Sequence, residues 1–237
     1  MNCKFVKGII EALGFKNVLK VDFSPKKTCN FDCVYCGVGR TSTWLNERSE
    51  FYPVEDVFFE IDYYIEHNGE IRYVMLTGSG EPALYKGFGE LVAKIKQKYP
   101  NLKIMAYTNC SLLSRKDVHY EFLQCDVLGC NLNAVYNDEF QKICQPFSPV
   151  RLKDALNGLV QFKKVFKGVI FVDSKFVKDL NDTHRNLNGL IEYLADLKPD
   201  RYIAVIRNYK GTKPTDEFVN LVKQKVDDLH FTTKVYV

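Results

Sequence analysis

Short runs of β-branched and apolar residues recur along the chain, each followed by a longer stretch with apolar residues at i, i+3, i+4 and i+7. The first kind of segment reads as a strand and the second as an amphipathic helix. Strand candidates are VLKVDFS (18–24), IRYVMLTG (71–78), LKIMAYTN (102–109), CDVLGCNLN (125–133), GVIFVDSKFV (168–177) and DRYIAVIR (200–207). Helix candidates lie at 54–67, 87–98, 115–123, 151–164, 185–197 and 215–228. Such alternation predicts an α/β fold with a parallel sheet flanked by helices. Six units fall short of a closed (β/α)8 barrel, which needs ~250 residues. The expectation is therefore a partial (β/α)6 TIM-like barrel. One domain over 1–237 is expected, with a core barrel at 18–207. Residues 1–17 read as a helical extension packed outside, and 208–237 as a C-terminal helix and an edge strand, FTTKVYV.

Composition narrows this only slightly. The 237 residues are 46% hydrophobic and 26% charged, which suits a chain that buries one large core. The net charge of +4 is mild, and pairs such as Lys26-Lys27 read as solvated faces; no polybasic tract demands nucleic acid. The opening MNCKFVKGIIEALGF is interrupted by Lys4, Lys7 and Glu11, so neither a signal peptide nor a membrane span is expected, and the cytoplasm is the expected compartment. Eight cysteines in such a chain point to thiol or metal chemistry rather than to a disulfide framework.

Their distribution is more telling. In TCNFDCVYCGVGRTST, Thr28 to Thr43, Cys29, Cys33 and Cys36 fall within eight residues, directly after a strand that Pro25 ends. Functional residues of βα folds gather in loops at the carboxyl ends of strands. Three thiolates at these spacings can hold three irons of an iron-sulfur cube and leave the fourth open. A structural zinc site is the second reading, although it usually recruits four ligands in two pairs and neither a second pair nor a nearby histidine is present. The plainest reading, three small buried apolar residues, leaves the dense grouping on a polar loop unaccounted for.

The run CNFDCVYC resembles the Cys-x3-Cys-x2-Cys signature of the radical S-adenosylmethionine (radical SAM) superfamily, with Tyr35 as the aromatic residue before the last cysteine. The resemblance implies a barrel of the radical SAM type and a 4Fe-4S cluster on Cys29, Cys33 and Cys36. It also implies S-adenosyl-L-methionine as the second cofactor, split to methionine and a 5′-deoxyadenosyl radical that abstracts hydrogen from a substrate. An electron donor such as flavodoxin or ferredoxin is the implied partner. Further motifs follow at successive strand ends. TGSGEP, with Gly78, Ser79, Gly80 and Glu81, resembles the element that binds the methionine ammonium. There the glycines allow unusual backbone angles and close ligand approach, and Glu81 supplies the acceptor. Asn109 in YTNCSLL aligns with a Thr-Asn-Gly element, Cys110 replacing its glycine. Asn131 and Asn133 in NLNA align with polar residues near the ribose or the methionine carboxylate. In VDSKFVKDLND, Ser174, Lys175 and Lys178 occupy the region that holds the carboxylate and shapes the adenine pocket, Ser174 being the chosen contact.

Within the superfamily the motifs look closest to stand-alone proteins akin to the tRNA wyosine-forming enzymes. Those carry a second cluster on upstream cysteines, where this chain has only Cys3, so their substrate is not carried over. Three function classes stay open: hydrogen abstraction from a small molecule, nucleotide or tRNA base; an activase acting on a partner protein or peptide; and a non-catalytic metal-binding module. Cys110, Cys125, Cys130 and Cys144 invite an auxiliary-cluster reading against that of ordinary buried thiols. Cys125 is expected at the opposite end of its strand. Arg207, Lys210 and Lys213 form a small basic group able to meet a phosphate or carboxylate.

Overall fold

Strand β2 (Phe15–Asp22) shows how the pattern becomes architecture. Leu19 and Val21 enter the large core beneath the helices, whereas Val18 joins Met75, Met105, Val127 and Phe171 in a smaller apolar cluster on the other face of the sheet. Alternating side chains on one strand thus feed two cores. The computed structural model describes residues 3–237.

Between β2 and its parallel neighbour lie two short strands, β3 (Thr28–Cys29) and β4 (Thr43–Trp44), paired with each other, and helix α1 (Val54–His67). The parallel series continues with β5 (Tyr73–Thr77), α2 (Phe88–Lys98), β6 (Lys103–Thr108), α3 (Lys116–Phe122) and β7 (Val127–Asn131). After β7 come α4 (Asn137–Cys144) and α5 (Leu152–Val165). Then follow β8 (Val169–Val177), α6 (His184–Leu197), β9 (Arg201–Arg207), α7 (Asp216–Asp227) and β10 (Thr232–Tyr236). With β1 (Val6–Ala12), the sheet runs β1-β2-β5-β6-β7-β8-β9-β10, parallel from β2 onward. β1 and β10 form its two edges, so the barrel is partial. The expected α/β class and all six expected helices are present, each helix to within one residue at either end.

The expected N-terminal helical extension is not what forms. Residues 6–12 are β1, antiparallel to β2, and Met1 and Asn2 lie outside the described residues. Leu13 and Gly14 both have positive φ (53° and 81°), the geometry of a two-residue hairpin turn joining Ala12 to Phe15. Register shifts between Val6 and Ile9 and between Ile10 and Ala12 interrupt the alternation of β1, so its sequence carries no clean period of two. Glu60 of α1 anchors the start of the strand, its carboxylate accepting the N–H groups of Lys4 (2.8 Å), Phe5 (2.6 Å) and Val6 (2.5 Å).

Helix α4 was not anticipated. Its apolar residues Phe140, Ile143 and Cys144 make a single turn of periodic signal, too short to read against the surrounding polar residues.

Candidate active site

Asp22 ends β2, and the chain then runs as a loop across the carboxyl ends of the strands. Three devices fix that loop. Backbone pairing holds it to the end of α4, with Asp32 N–H donating to Cys144 O (3.1 Å) and Val34 N–H to Ile143 O (3.0 Å). Phe31 packs edge-on against Phe140 at 5.4 Å. Buried Lys27 donates to Gly39 O (2.6 Å) and lies 3.5 Å from buried Asp32, which also pairs with Arg40 Nε (2.9 Å) and accepts from Thr41 N–H (2.7 Å).

The loop thereby presents Cys29, Cys33 and Cys36 to a cavity of about 300 Å³ whose walls also include Tyr35, Gly78, Gly80, Glu81, Asn109 and Asn131. Burial, reinforced by the nearby Glu81 carboxylate, pushes Cys29 up to about 12. A hydrogen bond with the Cys144 thiol, together with burial, raises Cys33. Among the described residues no three His, Cys, Asp or Glu side chains meet at one point as a single ion requires. Three thiols spread over one wall match a donor set that grips separate irons of a cluster, so the residues fit that group.

The glycines of TGSGEP serve a different purpose from the expected one. Neither Gly78 nor Gly80 has positive φ. What they permit is close passage of the chain over itself: a Cβ on Gly80 would sit 1.7 Å from Thr28 O, and one on Gly78 2.0 Å from Ser24 Oγ. The Glu81 N–H then donates to Thr28 O at 3.0 Å, fastening the β5 loop to the cysteine loop. Ser79 turns away from the cavity and binds Asp22 through its N–H (2.9 Å) and hydroxyl.

Glu81 is buried, 3% exposed, at the cavity wall. Its carboxylate accepts from Ala83 N–H (3.0 Å), Thr108 Oγ1 (2.6 Å) and Asn109 N–H (2.8 Å). No cationic side chain among the described residues pairs with it. Loss of hydration outweighs those three bonds and pushes its carboxyl up to about 7. A buried carboxylate without a counter-ion, facing a cavity, is prepared for a cationic ligand.

The other anticipated residues divide in two. Asn109 donates to Asn30 Oδ1 (2.8 Å), and Asn131 accepts from Tyr35 OH (2.7 Å), both at the cavity wall. Asn133 lies beneath as a brace, donating to Tyr35 OH (2.6 Å) and accepting Lys175 N–H (2.7 Å). Ser174 does not reach the cavity: it is fully buried and donates to Leu132 O. Strand alternation in β8 sends its neighbours Asp173 and Lys175 inward instead. Lys175 pairs with Asp173, which also accepts from Tyr107 OH, and Lys175, Tyr107 and Arg207 line the cavity. Tyr107 was missed, though its alternation with Met105 of the interior cluster was the available signal.

The four remaining cysteines named for an auxiliary cluster do not converge. Cys110 and Cys130 share a thiol hydrogen bond, Cys144 sits against Cys33, and Cys125 lies apart beside Asp126 and Lys96.

Comparison with known proteins decides the family. The model of the Radical SAM superfamily matches residues 23–174, well over half of the chain. The chain belongs to the radical SAM superfamily. As a radical SAM enzyme it uses a 4Fe-4S cluster and S-adenosylmethionine. Among its relatives, a protein named GTPase Obg from Brachyspira hyodysenteriae is 32% identical over 85% of this chain and 29% of its own length. UPF0026 protein MJ1312 from Methanocaldococcus jannaschii is 29% identical over 77% of this chain and 57% of its own. A GTP 3′,8-cyclase from Helicobacter pylori is 28% identical over 85% of this chain and 62% of its own. The chain thus spans well under two thirds of the length of the first two. Among solved structures, a radical SAM methyltransferase from Sphaerobacter thermophilus superposes with a TM-score of 0.68 at 15% identity, covering 93% of this chain and 67% of that one. TYW1 with a lysine-pyruvate adduct bound gives 0.64 at 17% identity, covering 91% and 75%. At these identities the structures share the fold. No helix among the described residues is long and apolar enough to cross a membrane.

Proposed function

We propose that the cavity at the strand ends binds S-adenosylmethionine against a cluster held by Cys29, Cys33 and Cys36, and that the enzyme abstracts hydrogen from a small-molecule or nucleotide substrate. The observation that carries the reading is the buried, cation-free Glu81 carboxylate on the same cavity wall as the three thiols. Bound there, the two cofactors supply reductive cleavage of the sulfonium. The chain's own part is positional. Glu81 takes the methionine ammonium, and its pre-set bonds from Ala83, Thr108 and Asn109 keep the carboxylate from turning to meet water. Tyr35, locked between Asn131 and Asn133, gives the last part of the cysteine loop a fixed seat.

The choice of a small molecule or nucleotide is supported by sequence likeness to the GTP 3′,8-cyclases over 85% of the chain. Likeness to TYW1 is of fold, and wyosine chemistry does not follow from it. An electron donor such as flavodoxin or ferredoxin completes the proposal.

Glu81→Gln tests it. Iron content should stay normal, while S-adenosylmethionine affinity, read from the change in the reduced cluster's EPR spectrum on titration, should fall. A charge-assisted bond of about 1.5–3 kcal/mol corresponds to roughly a tenfold to hundredfold loss. An unchanged titration would make Glu81 a turn residue and remove the basis of the reading.

A further inference from the structure

The inner face of the barrel carries more positive charge than its own carboxylates can absorb. Alternation on β2 places Lys20 on the face of Val18 and Asp22, paired in register with Met75 of the interior cluster. On β9, Arg201 stacks on Phe171 of the same cluster, 5.0 Å to the ring centroid, and Arg207 lines the cavity. Lys175 makes the fourth cation. Against these stand three carboxylates, all engaged. Asp22 accepts from Ser24 N–H (3.1 Å) and from Ser79. Asp173 takes Lys175 and Tyr107. Glu81 is held by three donors and belongs to the ammonium. Among the described residues, the side chains of Lys20, Arg201 and Arg207 have neither a hydrogen bond nor an ion pair; Arg201 lies over the rings of Phe15 and Phe171 instead, and of the three Arg207 is the one on the cavity wall.

The carboxylate of S-adenosylmethionine is not the partner that Arg207 lacks. Its ammonium and carboxylate sit on one carbon, so both must be met in one neighbourhood. Glu81 follows β5, and Arg207 ends β9, with β6, β7 and β8 between them at about 4.8 Å per strand. The register adds to the separation: Lys175 is level with Val205, and Arg207 is two residues further along, roughly 6–7 Å nearer the mouth. Lys175 is the cation on the deeper wall, and Arg207 stands at the rim where a second molecule enters.

We propose that the substrate of this cavity carries an oxyanion, a phosphate or a carboxylate, and that Arg207 is the specificity-determining residue that receives it. This rests on reading the cavity as the S-adenosylmethionine site. A planar guanidinium with a free fork suits two-point contact with such a group, and Lys175, on the adjacent strand and the same cavity wall, reinforces the field.

The test uses anaerobically reconstituted protein with S-adenosylmethionine present, titrated calorimetrically with inorganic pyrophosphate and, separately, with citrate at fixed ionic strength. At least one probe should bind, and the tighter of the two identifies the oxyanion as phosphate or carboxylate. Arg207→Gln should weaken that binding by about tenfold or more. Lys164→Gln, which removes the same charge from the outer surface, should leave it unchanged. The proposal is overturned if neither probe binds, if both variants weaken binding equally, or if Arg207→Gln weakens S-adenosylmethionine in place of the probe. Formation of 5′-deoxyadenosine by the same samples after reduction with dithionite reads the cofactor assignment separately. Its absence from the unsubstituted protein overturns the site reading and this inference together, and its presence with no probe binding overturns the inference alone.

Discussion

The Glu81 carboxylate receives the backbone N–H of Asn109 at 2.8 Å, joining the loop after β5 to the end of β6 and fixing an acid at the cavity wall with no cation to balance it. Its carboxyl lies at about 7 against an ordinary 4.5, because burial disfavours the charged form. A raised carboxyl means that the folded chain holds the proton more tightly than the unfolded one, so this group's contribution to stability is lost as pH rises from 4.5 through about 7. A shift of this size corresponds to about 3 kcal/mol at full ionisation. In metal-free protein, thermal unfolding at pH 5 and pH 8 should therefore show a fall for the unsubstituted chain that Glu81→Gln largely removes. The variant's lost bond to Asn109 lowers both of its values alike. Parallel pH profiles for the two proteins would contradict the assignment.

Gly80→Ala should damage the cysteine loop directly. The added Cβ meets the Thr28 carbonyl, which is backbone and next to Cys29. A loss of about 1–3 kcal/mol in urea unfolding is expected, with reduced iron uptake on reconstitution. Gly69→Ala, away from the cavity with open space around it, is the control and should load iron normally. Equal behaviour of the two would show that the approach of Gly80 to Thr28 does not set the loop.

Lys27 and Asp32 are buried together 3.5 Å apart, and Asp32→Ala leaves the ammonium buried with only Gly39 O to meet it. Breaking one side of such a pair costs about 3–5 kcal/mol. Chemical denaturation should show a loss of that order, and Asp32→Asn, which keeps an acceptor for Thr41 N–H, a smaller one. A change below the scatter of surface substitutions would exclude the pair as the fastening of the loop.

How much of this was legible in the sequence follows from the range of each signal. The βα rhythm and the helix limits were readable because their periods are local and long. β1 was misread because register shifts on both sides of Ile9 and Ile10 break its alternation, and only the pairing with β2 selects the strand. The cysteine spacing, Glu81 and Asn109 were legible as motifs. The inward turn of Lys175 rather than Ser174 depends on which face β8 shows to the barrel, a property of the sheet and not of the motif. The Lys27–Asp32–Arg40 fastening was invisible for the same reason: its members look like ordinary loop charges until the loop folds back on itself.

Iron stoichiometry tests the count of clusters. With Cys110 and Cys130 paired in the core and Cys125 apart, reconstituted protein should hold about four irons per chain, the content of one 4Fe-4S cluster. Cys125→Ser and Cys130→Ser should keep that number, and Cys33→Ala should lose it. About eight irons, or loss of half on replacing Cys130, would restore an auxiliary cluster.

The most direct measurement is chromatography of the products after the reconstituted protein is reduced with dithionite in the presence of S-adenosylmethionine under anaerobic conditions. The account predicts 5′-deoxyadenosine and methionine from the unsubstituted chain, none from Cys33→Ala, and a yield from Glu81→Gln that recovers as S-adenosylmethionine is raised roughly tenfold to hundredfold. A brown, four-iron protein that releases no 5′-deoxyadenosine, or a Cys33→Ala protein that still does, would contradict it.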